Sequence, residues 1–201
     1  MKSVSPAELV RLSGSPNHQG IVACVDPYPY SDLTEILESI SRPSECLIIL
    51  DQIQDPFNVG SIIRTAECLG AMGVVITKNN TCGVTPAVEK TSAGASAHIP
   101  VARVVNLTNA IERVKNAGFW VYGMDANGTS DIYSVDLAPL SAFVLGGEGS
   151  GMRRLVREHC DDILSVPIYG KVASLNVSHT AAIALSEYRR RNNEKKSVGR
   201  G

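Results

Sequence analysis

The chain has 201 residues, 44% of them hydrophobic, and its 19 Lys and Arg against 20 Asp and Glu give a formal net charge of −1. That is enough apolar material for one full core, and too little positive charge for a free-standing, non-specific nucleic-acid binder. No apolar run reaches the ~18 residues of a membrane span, and the start of the chain lacks a signal-peptide pattern.

The five cysteines (Cys24, Cys46, Cys68, Cys82 and Cys160) form no CxxC pair and have no metal-ligand spacing. This usage predicts reduced thiols and a soluble, cytoplasmic protein. His18, His98 and His159 are likewise not spaced as metal ligands, so no metal is expected.

In chain order, Ser5-Pro6-Ala7-Glu8 reads as a capped helix start that closes near Gly14. Residues 20–25 (GIVACV) read as a strand, 26–30 as a rigid connection, and 31–40 as a helix with Leu33, Ile36, Leu37 and Ile40 on one face. From Cys46 the pattern becomes regular. The run CLIIL (46–50) predicts a strand buried on both faces. A helix over 59–69, a strand over 74–77, a strand near 99–101, a helix over 107–117 and a strand over 119–122 follow. A strand at 142–145, a helix at 152–159, a strand at 163–167 and a helix from about Asn176 to Arg191 complete the chain. This alternation predicts the α/β class, a parallel sheet flanked by helices. Residues 1–43 read as a leading segment, 44–191 as the main domain, and 192–201 as a basic, disordered tail.

Three stretches concentrate polar and glycine residues at strand-to-helix junctions, where open α/β sheets bind ligands. The first, DQIQDPFNVGSIIR (51–64), offers Asn58 as a helix cap, Gly60 as a point of close backbone approach, and Arg64 one turn further on. The second, FVLGGEGSGM (143–152), surrounds Glu148 with four glycines. It fits neither the dinucleotide nor the triphosphate loop pattern, which disfavours a nucleotide-dependent oxidoreductase. The third, VPIYGKVASLNVS (166–178), runs into a helix opened by Ser174 and Asn176. Each alone reads as a capped helix or a glycine-rich turn. Together they place one polar constellation at one edge of the sheet.

The order and spacing of NVGSIIRTAECLGA, VLGGEGSGM and VPIYGKVASLNVS resemble the SpoU/TrmH family of SPOUT RNA methyltransferases. The stretch KTSAGA (90–95), with Ile99-Pro100-Val101 and Asn106-Leu107 after it, also resembles that family, and the resemblance covers nearly all of 46–191. His18-Gln19-Gly20 makes the chain most similar to the RlmB type, which methylates a guanosine ribose in large-subunit ribosomal RNA. Members of that type carry a small RNA-binding domain ahead of this point, and that domain is expected to be missing here.

The resemblance implies a C-terminal trefoil knot, S-adenosylmethionine as cofactor, RNA as partner and a homodimer whose site draws on both subunits. It implies contacts to the methyl donor from Gly146, Val166, Ile168 and Leu175. It also implies a catalytic set of Arg64, Asn58, Glu148, Ser174 and Asn176. A guanidinium is a poor proton acceptor, so Arg64 is expected to grip phosphate and stabilise the developing alkoxide, with proton removal unassigned. The chain departs from the family at His179-Thr180, a difference expected to alter packing more than catalysis. The competing readings are the same chemistry on transfer RNA, and a non-catalytic RNA-binding knot protein.

Overall fold

In a computed structural model of the protein, residues 2–14, 16, 18–24, 26–149 and 151–198 are described, those from 193 onward by backbone alone. Seven parallel strands form one sheet in the order β3-β2-β1-β6-β4-β7-β5. They are β1 (Glu45–Asp51), β2 (Gly73–Thr77), β3 (Val101–Val104), β4 (Trp120–Met124), β5 (Ser130–Asp131), β6 (Leu140–Gly146) and β7 (Asp162–Ser165). The helices are α1 (Pro6–Ser13), α2 (Leu33–Glu38), α3 (Pro56–Cys68), α4 (Pro86–Thr91), α5 (Leu107–Asn116), α6 (Arg154–His159) and α7 (Val177–Val198). The parallel α/β class expected from the alternation is what the chain adopts. Among the described residues no helix is long and apolar enough to cross a membrane.

The side chains of β1 alternate between two cores, as the period of two requires. Cys46, Ile48 and Leu50 join α3, α4 and α7 on one face. Leu47 and Ile49 join α2, α5 and α6 on the other. All seven residues of β1 are buried, which explains its uninterrupted apolar run. The β1–β6 register sets Asp51 beside Gly146, so the first two motifs leave the sheet side by side.

Three local expectations are corrected. Residues 21–24 pair with nothing as a strand, with Ile21 65% exposed, and Val25 lies outside the described residues. The sheet edge at β3 takes only an isolated bridge from Ser31 to Ala102, so this apolar run has no ladder to join. The cap of α3 is Asp55, whose Oδ1 accepts from the Phe57 N–H at 3.1 Å. Asn58 lies inside the first turn and is free for other use. The last helix does not stop at Arg191: the stretch expected as a disordered tail stays helical through Val198, while 199–201 lie outside the described residues. The short elements α4 and β5, and a 3-10 turn at Ala95–Ala97, were not foreseen in the pattern.

Candidate active site

All strands run the same way, so the loops after β1, β6, β4 and β7 open onto one edge of the sheet. The three motifs meet there through one hydrogen-bonded cluster. The Asn58 Nδ2 donates to Glu148 Oε1 at 2.6 Å. The Asn176 Nδ2 donates to the same oxygen at 3.1 Å and to Asn58 Oδ1 at 3.0 Å. Asn176 Oδ1 in turn accepts from the backbone N–H and the hydroxyl of Ser178, at 2.8 and 2.7 Å, which opens α7. Asn58 is only 6% exposed. A buried carboxamide without partners is costly, and here both of its ends are satisfied by the other two motifs.

The glycines of the second motif serve backbone packing. A Cβ on Gly146 would stand 2.3 Å from Gly151 C and from Met152 N, and one on Gly147 would stand 2.5 Å from Gln52 O. The loop therefore closes tightly on itself and on the first motif, and Gly149 and Gly151 supply the left-handed turns, with φ of 79° and 64°. Gly60 fills the role expected of it: a Cβ there would stand 2.9 Å from the Val88 carbonyl oxygen of α4.

Under this loop lies a cleft of about 500 Å³. Gly146, Val166, Ile168 and Leu175, the four residues expected to meet the donor, all line it, with Leu145 completing the apolar wall. Glu148, Ser174 and Asn176 line it as well. Further residues at the cleft were not assigned to it from the sequence, among them Asp125, Asn127 and Thr180. Asp125 and Asn127 follow β4, where the parallel-sheet rule could have found them. Asp125 is held by Arg157 at 2.6 Å and accepts from the Asn127 N–H at 2.8 Å. Thr180 also faces the cleft, so the His179-Thr180 departure reaches the site as well as the packing.

Arg64 is the exception. It is exposed and lines neither this cleft nor its neighbour. On α3 it belongs to the outward stripe of Phe57, Ser61 and Cys68, in which Phe57 is 67% exposed.

With this geometry in hand, the comparisons with known proteins agree with one another. The model of the SpoU rRNA Methylase family matches residues 45–186. The chain belongs to this family. A second model, RNA 2'-O ribose methyltransferase substrate binding, matches residues 1–31. Residues 1–31, ahead of the sheet, thus match a model of the kind of domain that was expected to be missing here.

The chain is 41% identical over 180 residues to the 23S rRNA (guanosine-2'-O-)-methyltransferase RlmB of Neisseria meningitidis, covering 89% of this chain and 72% of the relative. It is 44% identical over 181 residues to an uncharacterized tRNA/rRNA methyltransferase of Synechocystis, of whose length it spans about half (47%). Among solved structures, the SpoU methyltransferase AviRb from Streptomyces viridochromogenes, in complex with the cofactor AdoMet, aligns with a TM-score of 0.74 at 28% identity. That alignment covers 82% of this chain and 63% of AviRb.

Proposed function

We propose that the chain transfers a methyl group from S-adenosylmethionine to a ribose 2′-hydroxyl in RNA, with a guanosine of large-subunit ribosomal RNA as the foremost target. The observation that carries this reading is the Asn58–Glu148–Asn176 cluster standing at the mouth of the 500 Å³ cleft. The relative RlmB, a guanosine-2'-O-methyltransferase of 23S rRNA, supports the choice of target.

The residues present fit the donor. The cleft lies within the ~300–1,000 Å³ range of small-molecule sites, with apolar walls from Leu145, Val166, Ile168 and Leu175 and backbone polar groups at Gly146 and Gly147. The bound donor supplies an electrophilic methyl carbon on a sulfonium. The chain supplies position: a rigid glycine loop, and a carboxylate held by two carboxamides. Holding both reactants in line removes much of the barrier to such a transfer. Ser174, at the same wall, is assigned to orienting the substrate.

The cationic part of the chemistry falls to Arg64, which grips an RNA phosphate and stabilises the alkoxide as it develops. Its place on the exposed stripe with Phe57 supports a homodimer in which a second copy covers that stripe and the site draws on both subunits. The route of the chain supports the trefoil knot: after β7, three strands from β1, residues 166–176 lead back to α7, where Tyr188 donates to Pro139 O at 2.5 Å and Arg189 to Leu69 O at 2.6 Å. Work on ribosomal RNA would place the protein in the cytoplasm.

The test is tritiated methyl transfer from S-adenosylmethionine into unmodified ribosomal RNA and transfer RNA, with nucleoside mapping. Label in a 2′-O-methyl nucleoside of ribosomal RNA is expected. Label confined to transfer RNA would redirect the substrate, and donor binding with no label in either RNA would leave a binding protein.

A further inference from the structure

Beside the donor cleft, across Glu148, lies a second cleft of about 440 Å³. Gln52, Gln54, Asp55 and Asn80 line it, with Asn58 and Glu148 on the wall nearest the donor. The carboxamides of Gln52, Gln54 and Asn80 have no hydrogen-bond partner among the described residues. Gln52 and Asn80 also hold left-handed backbone, with φ of 61° and 63°. Such conformations cost free energy in residues with a Cβ, and they gather where side chains are aimed at a ligand. Two of the four non-glycine residues with positive φ among the described residues line this one cleft.

Two carboxylates decide what the cleft accepts. Asp55 Oδ1 accepts from the Phe57 N–H, and Glu148 Oε1 accepts from Asn58 and Asn176. The remaining oxygen of each is an acceptor only. Paired carboxylates repel a phosphodiester, so the cleft suits a neutral ring. A ring is best held there by an edge rich in donors. Among the four bases guanine alone presents a ring N–H next to an exocyclic amino group, and its O6 can accept from a carboxamide.

We propose that this second cleft receives the guanine of the target nucleotide, turned out of its stack as base-directed enzymes do. Asp55 accepts from the N1–H and 2-amino edge, and Gln54 and Asn80 read the remaining polar atoms. The assignment rests on the methyl-transfer reading above and adds to it the residues that select the nucleotide. Glu148, shared by both clefts, then stands between the base and the donor, where the ribose must lie.

The experiment begins by mapping the 2′-O-methyl nucleoside formed by the wild-type chain in unmodified ribosomal RNA. Short RNAs carrying guanosine, inosine or adenosine at that position are then compared. Inosine lacks only the 2-amino group. The wild type is expected to favour guanosine over inosine by roughly tenfold or more, the scale of one lost hydrogen bond to a carboxylate. Asp55→Asn, which retains helix-capping ability, is expected to bring that ratio within about twofold while donor affinity by calorimetry stays unchanged. Gln54→Ala and Asn80→Ala are expected to raise KM for the guanosine RNA without changing donor affinity. Methyl transfer to a mapped pyrimidine, or an undiminished ratio in Asp55→Asn with unchanged KM in the other two, overturns the base site alone. No transfer by the wild type to any RNA overturns the methyl-transfer reading, and the base site with it.

Discussion

Arg153 holds Asp51 from both its backbone and its side chain. Its N–H donates to Oδ2 at 2.8 Å, its Nε donates to Oδ1 at 2.8 Å, and its Nη2 lies 2.7 Å from the same Oδ1. Asp51 is the last residue of β1 and is fully buried, while Arg153 follows the glycine loop directly. The pair therefore ties the far end of the second motif to the start of the first.

Removing the guanidinium leaves a buried carboxylate satisfied only by one backbone N–H. Arg153→Ala is expected to lower stability by about 2–4 kcal/mol, read by urea unfolding. A looser glycine loop should also weaken donor binding in calorimetry. Donor affinity equal to wild type in a folded Arg153→Ala protein would mean that the clamp does not shape the cleft.

Gly146→Ala is expected to be harsher for binding than for folding. The added Cβ would meet backbone at 2.3 Å, and backbone cannot rotate away as a side chain can. Shifting residues 151–152 to admit it should cost about 1–3 kcal/mol and narrow the donor cleft. The expected outcome is a cooperative thermal transition at lower temperature, with donor affinity reduced by more than tenfold.

Asn176 combines two jobs that a pair of substitutions can separate. Asn176→Ala loses the cap of α7, at about 1 kcal/mol, and also the bonds to Asn58 and Glu148. Asn176→Asp keeps the cap but sets a carboxylate within reach of Glu148. If the network serves methyl transfer, both variants should fall by one to two orders of magnitude in kcat, with only the alanine variant clearly less stable. Normal turnover in Asn176→Asp would confine Asn176 to capping.

Glu187 gives the fold a pH dependence. Hydrogen bonding from Arg190, helped by Arg191 and opposed by burial, holds its carboxyl down at about 2, below the ordinary carboxylate value of 4.5. A depressed folded value stabilises the protein above the unfolded pKa, and the contribution drains away as pH falls from about 4.5 toward about 2. Stability curves should therefore lose about 1–3 kcal/mol across that window. Glu187→Gln should show a shallower loss and lower stability at neutral pH. Parallel curves for the two proteins would contradict this.

Thiol reactivity gives an independent check on the core. Burial pushes the thiols of Cys46 and Cys160 up to about 12, whereas Cys24 and Cys68 are exposed. Iodoacetamide at pH 8, followed by peptide mass spectrometry, should label Cys24 and Cys68 well before Cys46 and Cys160. Labelling of Cys68 should decline with protein concentration if the stripe it shares with Arg64 is covered by a second copy.

Much of this arrangement could be read from the chain, because it follows from local chemistry. The apolar run at β1 and the glycine-ringed Glu148 carry their meaning within a few residues, and the order of the motifs carried the family. Partners distant in sequence are another matter. Residues 20–25 have the composition of a strand, yet a strand requires a neighbour, and only the bridge at Ser31 reaches the sheet edge. Asn58 and Asp55 are both good caps, so composition could not choose between them. The Asp55-Pro56 pair was the available signal, since proline suits the position just after a cap. Asp125 and Asn127 stood outside the three motifs, but they follow a strand of a parallel sheet and so share its ligand edge. The outward place of Arg64 depends on helix phase: it lies six residues from Asn58, well around the turn of α3 from the cluster.

The order of the strands also governs when the cleft can form. β1 lies between β2 and β6, and its Leu47 pairs with Ala142, so the middle of the sheet cannot close until most of the chain exists. The walls of the cleft include Leu175, Asn176 and Thr180, which stand just before α7 and in its first turn. Pairings so distant along the chain form late and slowly. The cleft, whose walls run from Met124 to Thr180, is therefore completed late in folding, after the long-range pairing of β1 with β6.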